Sequence, residues 1–241
     1  MRIRPGTNDD HIIAEVRGIN AYRLPEQFGP TDIIIDVGAH IGAFADLCLE
    51  RGAGHCYCFE ACGDNYDLAE QNLAVYGERA QIRHAAIIGE SRTRPATVRF
   101  TGMTRFASGL INSGGGNVLW PGGDNCIGHS EECRALSFDE VVDEILPPWR
   151  TIRLLKLDCE ASEFPILLTS QQLPWIDEIV GEFHEVGPEQ YAALPPWAKV
   201  EGHDCYRVRD IALRLKSYGF RTEIEVAPGS HIGKFFARRR N

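Results

Sequence analysis

The chain has 241 residues, a formal net charge of −9, and ordinary shares of apolar and charged side chains, enough for one α/β domain with a full core. The acidic balance argues against a protein that clamps nucleic-acid phosphates, which needs a basic face; the basic run Arg238-Arg239-Arg240 reads as a solvated tail over 238–241. No apolar stretch has the length of a membrane span or the build of a signal peptide, so a cytoplasmic protein with no membrane partner is expected.

Residues 1–30 read as a lead-in or cap, moderately apolar from Ile12 to Tyr22 and broken by Pro25 and Pro30. Ile33-Ile34-Ile35 is a β-branched run of the kind a buried parallel strand requires. After a glycine turn, Ile41, Phe44, Ala45, Leu47 and Cys48 recur at helical spacing as far as Gly52. Cys56 to Phe59 is a second strand ending at Glu60, followed by a helix over 67–76 and a third strand over 82–88. From 89 to 136 the alternation fails, although Val98 and Phe100 fit an edge strand. Glycines crowd an insertion at about 101–134, too long for an ordinary loop, which is either a substrate lid or a disordered segment. As a lid it would turn Phe106, Leu110 and Trp120 inward, with Tyr191 and Trp197 as the opposite wall.

A short strand at 136–138 and a helix over 139–145 restore order. Ile152 to Leu157 is the fourth strand, ending at Asp158; a helix begins at Glu163, and Ile179 to Glu185 is the fifth strand. Beyond a proline-rich bend, Val208, Ile211, Ala212 and Leu215 mark one helix face, stopped by Gly219. Two strands, 220–226 and 232–237, are joined by Pro228-Gly229-Ser230 as a hairpin. This order predicts a domain over 31–237 built on a doubly wound sheet closed by an antiparallel strand. Cys48, Cys56, Cys58, Cys62 and Cys159 fall in apolar segments and read as reduced, packed thiols. Cys126, His129 and Cys133 lack a fourth ligand at a usual spacing, so loop cysteines are a better reading than a zinc site.

In open α/β sheets a ligand binds beyond the carboxyl ends of the strands, near the switch point. The first strand leads there into Asp36-Val37-Gly38-Ala39-His40-Ile41-Gly42. Asp36, Gly38, Ala39, His40, Ile41, Gly42, Glu60, Ala61, Ala86 and Asp158 are the candidate cofactor-binding residues, with no specific role assigned to His40. Glycine lets the backbone turn sharply and approach a ligand. Glu60, at a strand tip, is placed to accept hydrogen bonds from two ribose hydroxyls. The loop lacks the Gly-x-Gly-x-x-Gly of dinucleotide sites. Asp36 suits a cationic amino-acid ligand and would repel a pyrophosphate, which favours S-adenosylmethionine (SAM) over NAD.

Ile35 to Gly42 resembles motif I of class I methyltransferases. With Lys156-Leu157-Asp158-Cys159-Glu160-Ala161-Ser162-Glu163, Glu182-Phe183-His184 and the lead-in Tyr22-Arg23-Leu24-Pro25, the chain resembles the FkbM family over roughly residues 15 to 237. One departure is Ala161, where that family commonly has Gly. The resemblance implies a Rossmann-like, doubly wound, mostly parallel seven-stranded sheet with a C-terminal antiparallel hairpin. It also implies methyl transfer to a hydroxyl of a small-molecule, sugar or other natural-product acceptor.

The acceptor must be aligned in line with the sulfonium and relieved of a proton. Asp158, Glu160, Glu182 and His184 end neighbouring strands and form the candidate catalytic group. His184 is the expected general base, with Glu160 or Glu182 as its partner. Two alternatives stand beside it: Asp158, Glu160 and Glu182 hold a Mg²⁺ ion, or His184 is structural. Glu163 reads as a helix-start carboxylate, and Lys156 either pairs with one of the acids or reaches solvent. Two competing functions also stand, a non-catalytic SAM- or nucleotide-binding protein of the same fold and an NAD-linked oxidoreductase. Nothing in the sequence excludes nitrogen or carbon acceptors or sets the oligomeric state, a homodimer included.

Overall fold

Residues 1–106, 108–120, 130–148 and 150–239 are described by a computed structural model. The lead-in carries α1 (Asp9–Ile13), which runs into a π turn at Ala14–Gly18. There follow β1 (Ile33–Val37), α2 (Ala43–Glu50), β2 (His55–Glu60), α3 (Gly63–Leu73) and β3 (Ala80–Ile88). The glycine-rich region contributes β4 (Thr97–Phe100) and a small hairpin, β5 (Thr104–Arg105) with β6 (Ile111–Asn112). Next come β7 (Glu131–Ser137), α4 (Phe138–Ile145), β8 (Leu154–Leu157), α5 (Glu163–Thr169) and β9 (Glu178–His184). The chain closes with α6 (Pro188–Ala193), α7 (Val208–Ser217), β10 (Phe220–Val226) and β11 (Ile232–Arg239).

The main sheet runs β10-β11-β9-β8-β1-β2-β3-β7-β4. Its centre is parallel, and β11 lies antiparallel between β9 and β10, as the terminal hairpin foretold. Nine strands, not seven, make up this sheet among the described residues. The extra pair is β7, parallel to β3, and β4, antiparallel to β7 at the edge. Val98 and Phe100 thus sit on the expected edge strand, and both are buried. The helix expected from 67 starts earlier, at Gly63, because its first turn is polar and is held by neighbouring carboxylates. The amides of Cys62 and Gly63 donate to Glu60 and Glu131.

Side chains alternate across each strand, and the two faces build separate cores. Ile35, Val37, Leu155 and Leu157 pack with Phe138, Phe164, Ile211 and Leu215 of α4, α5 and α7. Ile34 and Leu154 face the other way, against Phe44 and Leu47 of α2 and Leu73 of α3. The cysteines expected to be packed thiols are free, and Cys48, Cys56, Cys58 and Cys62 are buried. Cys133 is a buried β7 thiol, while Cys126 and His129 of the weak metal pattern lie outside the described residues, as does the end of the basic tail. Among the described residues no helix is long and apolar enough to cross a membrane.

Candidate active site

One cavity of about 240 Å³ opens at the carboxyl ends of β1, β2, β3 and β8. Of the sequence candidates, Gly38, Ala39, His40, Glu60, Ala61, Ala86, Asp158, Glu160 and Glu182 line it. Asp36, Ile41, Gly42 and His184 do not.

Gly38 sits at φ 76°, and a Cβ there would come within 1.8 Å of the Asp158 carbonyl oxygen, so the loop after β1 lies directly on the end of β8. Gly42 (φ 85°) and fully buried Ile41 serve the start and packing of α2 rather than a ligand. Glu60 is buried, which pushes its carboxyl above the usual range. Its two oxygens accept from the His40 amide at 2.7 Å and the Cys62 amide at 2.9 Å, holding the loop while the group still edges the cavity.

Asp36 corrects the charge argument. It lies between Ile35 and Val37 and therefore points to the opposite face, under α2. There it is fully buried beside Lys156, its register partner on β8, at 3.0 Å. Lys156 also donates to the Gly38 carbonyl at 2.5 Å, so its ammonium neutralises Asp36 and pins the glycine loop. The acidic wall toward a ligand comes instead from Glu15, Glu60, Asp158, Glu160 and Glu182.

His184 is also corrected. Its ring lies behind the cavity wall among three carboxylates: Nε2 is 3.4 Å from both Glu160 and Glu182, and Nδ1 is 3.3 Å from Glu163. Burial alone would favour the neutral ring, but these acids override it and push the imidazole up to about 12. The three carboxylates thus favour the charged ring, which disfavours His184 as a proton acceptor. Glu163, fully buried, also accepts the His184 amide at 2.7 Å, so it positions the histidine besides opening α5. Glu182 bonds Lys234 at 2.7 Å, and its carboxyl is held down at about 2; burial works against this, while His184 and Lys234 outweigh it. Glu160 differs. Burial pushes its carboxyl up to about 7, with the His184 charge opposing. Its backbone sits at φ 54° and that of Ala161 at φ 75°, left-handed geometry that explains why glycine suits the second position. Among the described residues no group of three His, Cys, Asp or Glu is arranged to hold a metal ion, which leaves the Mg²⁺ reading of Asp158, Glu160 and Glu182 without support.

Sequence reasoning missed the lead-in's part in the site. Asn8, His11, Glu15 and Tyr22 line the cavity, and the Tyr22 hydroxyl donates to Asp158 Oδ2 at 2.7 Å. The family-like Tyr22-Arg23-Leu24-Pro25 stretch was the available signal. His40 joins this cap: its Nε2 meets the Ser113 hydroxyl at 2.8 Å, and burial pushes its pKa down to about 4, so the ring is neutral. Ser113, Gly116 and Val118 bring the described part of the glycine-rich segment over the cavity. Phe106 and Leu110 are exposed rather than turned inward. Trp120 packs on the main core, and Tyr191 is buried with its hydroxyl on the Val200 carbonyl; neither they nor Trp197 line the cavity.

A doubly wound sheet, a glycine loop at its switch point and a strand-tip glutamate define a protein that binds an adenosine-type cofactor. The family model described as Methyltransferase FkbM domain matches residues 36–222. The chain belongs to this family of SAM-dependent methyltransferases. A comparison with curated proteins gives no match. Among solved structures, a ribosomal protein L11 methylase from Lactobacillus delbrueckii subsp. bulgaricus is 12% identical with a TM-score of 0.44, covering 98% of this chain and 81% of its own. An rRNA methylase from Streptococcus thermophilus is 10% identical with a TM-score of 0.47, covering 100% and 99%. A magnesium protoporphyrin IX methyltransferase from Synechocystis PCC 6803, with SAH bound, is 11% identical with a TM-score of 0.42, covering 96% and 81%. Likenesses this distant carry no argument about acceptor or mechanism.

The residues present fit SAM. The cavity wall offers carboxylates, Glu60 at the tip of β2 among them, to a ligand carrying sulfonium and ammonium charges. Gly38 leaves the loop backbone close to the end of β8, where the amino-acid portion would be held.

Proposed function

We propose that the protein methylates a hydroxyl oxygen of a small, non-anionic acceptor, such as a sugar or another hydroxylated natural product, with Glu160 as general base. The observation that carries this reading is Glu160 itself: a cavity-lining carboxyl whose burial brings its pKa to about 7. An aliphatic hydroxyl is a poor nucleophile until a base assists it, and a base titrating near the working pH suits that task. Bound SAM supplies an electrophilic methyl group on a sulfonium. Glu60 would hold the ribose and Asp158 the ammonium, and Glu160 would take the hydroxyl proton as the oxygen–methyl bond replaces the methyl–sulfur bond and S-adenosylhomocysteine leaves. His184 fixes the Glu160 carboxylate from behind, as Lys234 fixes Glu182.

The acceptor's charge follows from the wall. Among the described lining residues Lys156 is the one lysine or arginine, and it is committed to Asp36 and the Gly38 carbonyl. A phosphate or carboxylate on the acceptor would meet Glu15, Glu160 and Glu182, with no uncommitted lysine or arginine among the described lining residues to receive it. Nucleic acid is therefore not the expected partner.

Calorimetry should show binding of SAM and S-adenosylhomocysteine (SAH) but not NAD. Incubation with SAM and a panel of neutral and amino sugars and polyols should give products heavier by one methylene. Tight NAD binding, or methylation confined to anionic acceptors, would overturn the reading.

A further inference from the structure

We infer that Tyr22, from the lead-in ahead of the family-matched domain, is a positioning residue that sets Asp158 to receive the amino-acid end of the cofactor. The inference rests on the methyl-transfer reading and adds a residue to its cofactor site. Tyr22 is 5% exposed, and its ring meets Phe44 of α2 edge-on at 5.4 Å. Its hydroxyl donates to Asp158 Oδ2 at 2.7 Å across 136 positions of sequence. Burial, reinforced by Asp158, pushes the phenol well above its ordinary range, so it keeps its proton and acts only as a donor.

A carboxylate bound through one oxygen to a neutral donor loses its rotational freedom. Asp158 lines the cavity where the end of β8 lies against Gly38, and among the described residues no hydrogen bond engages its Oδ1. That is where the glycine loop would hold the methionine part of the donor, and an ammonium is the partner a fixed carboxylate recognises. The Lys156 and Lys234 ammoniums flank the Tyr22 ring at 5.8 and 5.3 Å. Both have carboxylate partners of their own, Asp36 for the first and Glu15 and Glu182 for the second, so Asp158 stays available to the ligand.

Tyr22→Phe removes the hydroxyl and keeps the ring, so the contact with Phe44 survives. The experiment is calorimetric titration of wild type and variant with SAH and with 5′-methylthioadenosine, which lacks the amino-acid end. The expected result is an SAH Kd raised about tenfold, the scale of one hydrogen bond to a charged group, with the methylthioadenosine Kd unchanged. A merely structural role would weaken both ligands alike, and a bystander would change neither; each outcome overturns the inference. If wild type itself binds neither ligand, the methyl-transfer reading fails instead. An unliganded melting temperature equal to that of wild type checks that the variant is folded.

Discussion

Glu160→Gln separates the two bases that this site offers. Burial holds the Glu160 carboxyl at about 7, whereas His184, ringed by Glu160, Glu163 and Glu182, is charged up to about 12. Only the carboxylate form of Glu160 can accept a proton, so activity must rise with pH through about 7. Below that point the rate should fall about tenfold per pH unit, following the deprotonated fraction. Replacing the carboxylate with the isosteric amide should lower kcat by about 10²–10⁴, the usual contribution of a general base and about 3–5 kcal/mol of barrier. The SAH Kd should stay near the wild-type value. His184→Gln provides the second arm. It removes a positive charge 3.4 Å from Glu160, a charge that lowers the carboxyl's pKa. The ascending limb should therefore move to higher pH, by on the order of one unit, and persist. The assay is initial rate against pH at saturating SAM, with an acceptor identified by mass gain. A limb that survives in Glu160→Gln and vanishes in His184→Gln would restore histidine as the base and refute the assignment.

Lys156→Met leaves Asp36 buried without its cation, and breaking such a pair costs about 3–5 kcal/mol. Chemical denaturation should show that loss, with most of it recovered when Asp36→Leu is added; a loss below about 1 kcal/mol would show the pair to be dispensable. Ala161→Gly should be close to neutral. Relief of the left-handed alanine, about 1–2 kcal/mol, offsets a lost buried methyl and extra chain entropy, about 1–2 kcal/mol together. Ala69→Gly, in α3 and equally buried, gets no such relief and should cost about 2 kcal/mol; equal losses at both sites would deny the strain. His184 gains a folded pKa of about 12 over an ordinary 6.5, so its contribution is full below 6.5 and declines as pH rises toward 12. The stability gap between wild type and His184→Gln should be largest near pH 6 and shrink at higher pH. A gap that stays constant from pH 6 to about 10 would contradict the charged state of the ring.

Most of the sheet was legible because each strand is a local pattern. Ile33 to Ile35, Cys56 to Phe59 and the hairpin around Pro228-Gly229-Ser230 announce themselves within a few residues. The strand count was not. β4 and β7 pair across a glycine-rich stretch whose own alternation is weak, so their joining to β3 depends on distant contacts. Gly38, Ala39, His40 and Glu60 line the cavity, because a strand tip followed by a turn has few places to go, whereas Ile41 and Gly42 do not.

Asp36 and His184 were misread for one physical reason. Sequence displays a charge but not the partner that cancels it. Asp36 sits one residue before the cavity-facing end of β1, and strand alternation turns it under α2 against Lys156. His184 was expected to have one acid beside it and has three, which favours the charged ring over the neutral base. Lysine two residues before Asp158, on the strand beside β1, was the sequence clue to the first pairing. The second needed Glu163, 21 positions before His184 in sequence but 3.3 Å from its ring in space.

Part of the cavity wall lies beyond the span that identifies the family. The match covers residues 36–222, which supply the sheet, the glycine loop, Glu60, Asp158, Glu160 and His184. Glu15 and Tyr22 precede it and Lys234 follows it, yet Lys234 bridges Glu15 at 2.8 Å and Glu182 at 2.7 Å. That bridge joins the lead-in to the strand carrying His184. A shared domain that holds a shared donor can leave acceptor choice to its flanks. Glu15 lines the cavity from a short helical segment, and under the proposed function its replacement is expected to alter acceptor preference in a methylation assay while SAH affinity stays near the wild-type value.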